Sequence, residues 1–125
     1  MTSMVRVLLI GFEPSAVPGV DPEAVTPAFE QARRRAREES VELVECLIAL
    51  DDSADAQLEA ALTNGQWDCI VIGGGIRKPD AVVELLEYVV NTAIRRAPSA
   101  TLAFNTSPAD TVESALRALG HATQA

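Results

Sequence analysis

Histidine occurs once in this sequence, at position 121, and cysteine twice, at positions 46 and 69. So few nitrogen and sulfur ligands do not furnish a Cys/His zinc site, and no metal is expected. Positive charge is scarce as well. Lys and Arg number 10 against 18 Asp and Glu, a net charge of −8 with a pI near 4.5. A negative surface does not attract polyanions, so neither duplex nucleic acid nor an anionic membrane is the expected partner. Long hydrophobic runs are missing: no stretch approaches the ~20 apolar residues that span a bilayer. The first apolar run, Val5–Phe12, carries Arg6 within it and has no small-residue cleavage pattern behind it. It does not read as a targeting signal. Lys78 is the sole lysine, every other cation is Arg, and Ala is frequent. That bias is common in proteins of GC-rich bacteria, and the expected setting is a bacterial cytoplasm. There Cys46 and Cys69 are expected as reduced thiols, each a small core residue inside an apolar run.

What the sequence does contain is enough apolar material to fold. Of its 125 residues 48% are hydrophobic and 22% charged, and the length suits one α/β domain spanning 1–125. Four apolar runs alternate with four helical patterns. Val5–Phe12 reads as a first strand, and Glu13–Val20, with Pro14, Pro18 and Gly19, as a loop. Asp21-Pro22-Glu23 then starts a helix, Asp21 as N-cap and Pro22 at the first helical position, running to about Ser40. Val41–Leu50 is a second strand whose early alternation suits a partly covered edge. Asp51-Asp52-Ser53 offers caps for a helix over about Ala54–Thr63, closed by Asn64-Gly65. Trp67–Ile72, apolar almost throughout, suits a central strand buried on both faces. Gly73–Lys78 follows as a loop, Pro79 and Asp80 open a third helix to about Arg96, and Pro98 stops it. Thr101–Phe104 is the fourth strand, and Asn105–Asp110 starts a last helix ending at Gly120. Strands alternating with helices imply a parallel sheet between two helical layers, a three-layer α/β/α sandwich. Right-handed crossovers favour the order 2-1-3-4, a truncated flavodoxin-like or Rossmann-like sheet.

In such sheets ligands bind beyond the carboxyl ends of the strands, where the order reverses. The loops arriving there are Gly11-Phe12-Glu13-Pro14, Gly73-Gly74-Gly75-Ile76-Arg77-Lys78 and Asn105-Thr106-Ser107. Three successive glycines allow close backbone approach or positive φ. The amides and dipole of the next helix, with Arg77 and Lys78, favour a small anion such as phosphate or carboxylate. A competing reading makes the glycines a tight strand-to-helix turn and pairs Arg77 with Glu13. Glu13 is the one carboxylate that the first strand brings to the crevice, and hence the candidate catalytic base; anchoring of the loop competes with that role. Ser107, followed by Pro108 and Asp110, suits an N-cap, which leaves Asn105 and Thr106 freer to face a ligand.

Several fingerprints are absent. Lys78 precedes Pro79 where a P-loop has Ser or Thr, and a dinucleotide motif would need glycine at 78 and an acid where Asn105 stands. Gly-Phe-Glu-Pro is not the hydroxyl-rich loop of a flavin site, and Gly73 occupies the place of a phosphoacceptor aspartate. No cofactor is expected. A Gly-x-Ser-x-Gly elbow is missing too, and His121 falls in the tail beyond the last helix.

Gly11-Phe12-Glu13-Pro14 resembles the opening motif of the pyroglutamyl peptidases, and Trp67–Gly74 is loosely similar to a later strand of that family. The resemblance implies a shared pocket location around Phe12, with a related hydrolase as a remote alternative. The whole chain resembles small uncharacterised bacterial α/β proteins carrying Gly-Gly-Gly-x-Arg and Asn-Thr-Ser-Pro-Ala-Asp motifs, which implies no particular activity. The function expected from the residues is binding of a small anionic molecule by Gly11, Phe12, Gly73–Gly75, Arg77, Lys78 and Asn105–Ser107. A non-catalytic interaction module is the alternative. The third helix carries Ala81, Val82, Val83, Leu85, Leu86, Val89, Val90, Ala93 and Ile94, with Tyr88 widening the stripe. That is more apolar surface than one sheet face needs, and a homodimer through this helix is expected.

Overall fold

Branched apolar residues on successive positions of Val5–Phe12 (β1) bury both faces of that strand, with Val7, Leu8 and Ile10 wholly inaccessible to solvent. The computed structural model describes residues 4–17, 19–49, 51–77 and 83–123, with backbone alone at 16, 77 and 121–123. β1 pairs in parallel with Val41–Ile48 (β2) on one side and Cys69–Ile72 (β3) on the other. β3 pairs in parallel with Thr101–Phe104 (β4), so the order is β2-β1-β3-β4, as the alternation of runs predicts.

The helices are α1 (Pro22–Glu38), α2 (Ala54–Leu62), α3 (Gly74–Arg77), α4 (Val83–Arg96) and α5 (Thr111–Thr123). Strand alternation divides the core between them. Leu8, Ile10, Ile70 and Ile72 pack with Leu58 and Leu62 of α2, Ile76 of α3, and Val89 and Ala93 of α4. Val7, Leu9, Cys69 and Val71 pack on the other face with Phe29 and Ala36 of α1 and Val112 and Ala115 of α5. Each fully buried Ile or Leu contributes about 1.5–3 kcal/mol by leaving water. Cys46 and Cys69 are buried free thiols, and burial, with the charge of Asp68, pushes the Cys69 thiol up to about 12.

The elements depart from expectation at their ends. β3 begins at Cys69 because Trp67 is held elsewhere: its indole N–H donates to the Ala61 carbonyl at 3.0 Å, and the Arg6 guanidinium lies 4.2 Å over its ring. β2 stops at Ile48, and α5 runs through Gly120 to Thr123 instead of stopping there. Gly73–Lys78 is not all loop, since α3 forms within it around the fully buried Ile76. The helix start expected at Pro79 and Asp80 lies outside the described residues. On α4, Val89, Thr92 and Ala93 are buried and Leu85, Leu86, Tyr88 and Val90 half-buried, whereas Val83 and Ile94 are exposed. The core thus absorbs much of the stripe on which pairing of two copies rests. Among the described residues no helix is long and apolar enough to cross a membrane.

Candidate functional site

Strand register brings the expected loops together. Ile10, Ile72 and Phe104 stand in one row across β1, β3 and β4, so Gly73 and Asn105 leave the sheet beside Gly11, which stays paired with Leu47 of β2. The Gly73 N–H donates to the Ile10 carbonyl at 2.8 Å, and a Cβ at Gly73 would stand 3.1 Å from that same oxygen. A Cβ at Gly75 would stand 3.3 Å from the Phe12 ring. Neither glycine has positive φ; among the described residues Gly19 and Gly65 are the glycines that do. Of the two uses expected for the triple glycine, close approach is the one realised, and what approaches is β1.

A cavity of about 590 Å³ opens at this junction. Gly11, Phe12, Gly73, Gly74, Gly75, Asn105, Thr106 and Ser107 all line it. Much of its apolar wall was not foreseen: Val25 and Phe29 of α1, Leu47 of β2, and Val17 and Val20 of the loop before α1. The sequence signal for it is the four-residue spacing of Val25 and Phe29, which puts both on one side of a helix, preceded by valines in a proline-rich loop. Among the described residues no ionisable side chain lines this cavity.

Glu13 lies in an adjoining space that shares Pro14, Val25, Phe29 and Leu47 with this cavity. With Arg33 it lines a second, smaller cavity of about 250 Å³, where its Oε1 accepts from the Ser15 hydroxyl at 3.3 Å. Its backbone N–H donates to the Ile48 carbonyl at 2.9 Å, which fits the loop-anchoring reading. Arg33 is itself held by two 2.8 Å bonds to the Glu45 carboxylate. The backbone of Arg77 closes α3, its side chain is not described, and Lys78 lies outside the described residues; the pairing of Arg77 with Glu13 lies there too. Among the described residues no three carboxylate, thiol or imidazole groups gather as a metal site.

The loop after β4 is organised by a carboxylate. The Ser107 hydroxyl accepts from the Ala109 N–H at 3.2 Å, and Asp110 accepts from the Ser107 N–H at 3.2 Å, a reciprocal capping box. It closes a single 3-10 turn, Pro108–Asp110, that leads into α5. Asp110 also takes the Thr106 N–H at 3.0 Å and the Thr106 hydroxyl at 2.6 Å. Thr106, expected to be freer than Ser107, is therefore bound into the same cap. Asn105 is buried, its amide donating to the Thr111 hydroxyl at 3.0 Å.

A parallel 2-1-3-4 sheet with helices on both faces and a cavity at its point of reversal defines a flavodoxin-like α/β protein. No protein-family model and no curated protein matches the sequence. Among solved structures the chain is similar to one described as "a putative SGNH hydrolase from Slackia heliotrinireducens", at 15% identity and a TM-score of 0.54, over 98% of this chain and 75% of that one. It is also matched to one described as a "putative lipoprotein from Peptoclostridium difficile 630", at 15% identity and a TM-score of 0.48, over 97% of this chain and 99% of that one. At 15% identity the likeness to the Slackia protein is one of fold.

Proposed function

We propose that this protein binds a small, mainly apolar molecule in the cavity at the carboxyl ends of β1, β3 and β4. The observation that carries the reading is a space of about 590 Å³, lined by Phe12, Phe29 and aliphatic side chains, at the position where open α/β sheets take their ligands. Its size falls within the ~300–1,000 Å³ of ordinary small-molecule sites. The anionic ligand expected from the sequence rests on Arg77, Lys78 and the Gly73–Gly75 amides; those glycines line the cavity, and the Arg77 side chain and Lys78 lie outside what is described. The test is a thermal-shift screen of apolar fragments against the wild type and Val25→Trp, which fills the space. A fragment at a hundredfold excess over its Kd stabilises the fold by about 2.7 kcal/mol, and the filled variant loses that shift. No shift from any fragment, or an undiminished shift in Val25→Trp, favours the non-catalytic interaction module. Anions that stabilise the wild type but not Arg77→Ala would restore the anion-binding reading.

A hydrolase is the second reading, supported by the likeness in fold to the Slackia protein and by the resemblance of Gly11–Pro14 to pyroglutamyl peptidases. Such a reaction needs a nucleophile with a base in hydrogen-bond reach. Ser15, whose hydroxyl bonds Glu13 at 3.3 Å, is the pair to test, by turnover of p-nitrophenyl acetate in the wild type and in Ser15→Ala. Equal rates in the two would remove this reading.

A further inference from the structure

Aromatic residues are scarce in this chain. It has three phenylalanines among its 125 residues, and two of them, Phe12 and Phe29, line the larger cavity. They arrive from opposite layers of the fold. Phe12 follows Leu8 and Ile10 on β1 at intervals of two, so the three share one sheet face, and Phe12 packs against the core beneath α2, α3 and α4. Phe29 is buried in the other core, beneath α1 and α5. The two layers meet at the strand ends, where Gly11 and Gly73 line the cavity without side chains. Gly75 lies against the Phe12 ring, since a Cβ there would stand 3.3 Å from a ring carbon. On the other side Val25, one turn ahead of Phe29, and Leu47 of β2 complete the wall.

We infer that the molecule bound in this cavity carries an aromatic ring, held between Phe12 and Phe29. The inference rests on the proposed binding cavity and adds the class of ligand. Burial of apolar area rewards a saturated and an aromatic body alike, so a wall of valine, leucine and proline alone would favour whichever is the more hydrophobic. Phenylalanine rings add a directional attraction. Each has a negative face and a positive edge, and two rings attract when offset or edge to face at centroid separations of roughly 4.5–7 Å. Rings offered from both layers let one ligand ring meet the two together. A saturated ring is thicker and has no such charge pattern to match.

The experiment is a titration of the full chain, followed by NMR, with pairs of compounds that differ only in ring saturation: benzyl alcohol against cyclohexylmethanol, and 3-phenylpropanol against 3-cyclohexylpropanol. The phenyl member should bind about three- to tenfold more tightly, the range that a ring pair adds beyond buried area, although the cyclohexyl member is the more hydrophobic. Phe12→Leu and Phe29→Leu, which keep the wall apolar, should each narrow that ratio. Phe12 is half-buried, and its variant carries the test if Phe29→Leu does not fold. A cyclohexyl compound that binds as well as its phenyl partner overturns the inference while leaving the cavity reading in place. So does a ratio that Phe12→Leu leaves unmoved. Failure of every compound in both series overturns both.

Discussion

Replacing Gly73 by Ala tests whether the triple glycine exists to bring β3 against β1. The added methyl would meet the Ile10 carbonyl oxygen at 3.1 Å and the Gly11 Cα at 3.6 Å, the first of these a few tenths of an ångström too close. That oxygen cannot retreat freely, because it accepts the Gly73 N–H at 2.8 Å and belongs to a strand paired on both sides. Overpacking of this kind costs about 1–3 kcal/mol, while restricting the unfolded chain returns about 0.4–1 kcal/mol. The net expectation is a loss of about 0.5–2 kcal/mol, read as a lower urea midpoint at unchanged m-value. Gly75→Ala is the internal control. Its methyl would meet a Phe12 ring carbon at 3.3 Å, and a half-buried ring can turn where a carbonyl in a ladder cannot. It should change stability by less than about 0.5 kcal/mol. A Gly73→Ala protein as stable as the wild type, or a Gly75→Ala protein that is the weaker of the two, would refute the packing argument.

Ile72→Ala removes a side chain wholly inaccessible to solvent at the centre of the sheet and should cost about 2–5 kcal/mol in chemical unfolding; a loss below 1 kcal/mol, by the same cavity reasoning, would place β3 elsewhere. Asp110→Asn should cost about 1 kcal/mol at neutral pH through its cap. The Asp110 pKa is lowered in the fold, so its contribution is fully present above the unfolded value of about 3.9. It is lost as pH falls through the folded value, and the two proteins should converge in acid; a gap that persists there would deny the linkage. Pairing of two copies through α4 predicts a dimer by light scattering that Val83→Glu and Ile94→Glu, at its two exposed apolar positions, convert to monomer. A wild type that stays monomeric as concentration rises would remove that proposal.

Strand order and the core were legible because alternation and run length depend on nearest neighbours in the sheet. Leu8, Leu9 and Ile10 beside Ile70, Val71 and Ile72 could hardly be placed anywhere but its centre. The crevice was legible for a related reason, since a parallel register delivers Gly11, Gly73 and Asn105 to one edge. The character of the site was not. Glu13 and Thr106 read as available groups, yet Glu13 lines the neighbouring cavity and Thr106 is engaged by Asp110, contacts set by how a loop and a cap fold. No motif in the sequence marks Val25 and Phe29 as site residues, and their part in the cavity depends on where α1 crosses the strand ends. Ile76 looked like a residue in a glycine loop; its burial is what winds that loop into α3.

The central claim is that a small, mainly apolar molecule occupies the cavity beside Gly73–Gly75. Amide chemical-shift mapping of the wild-type chain with the tightest-binding fragment tests it most directly. The account predicts saturable shifts concentrated at Gly11, Gly74, Gly75, Val25 and Thr106, all of which line the cavity, and none in Val25→Trp. Shifts centred on α4, or none at these amides at saturating fragment, would contradict it.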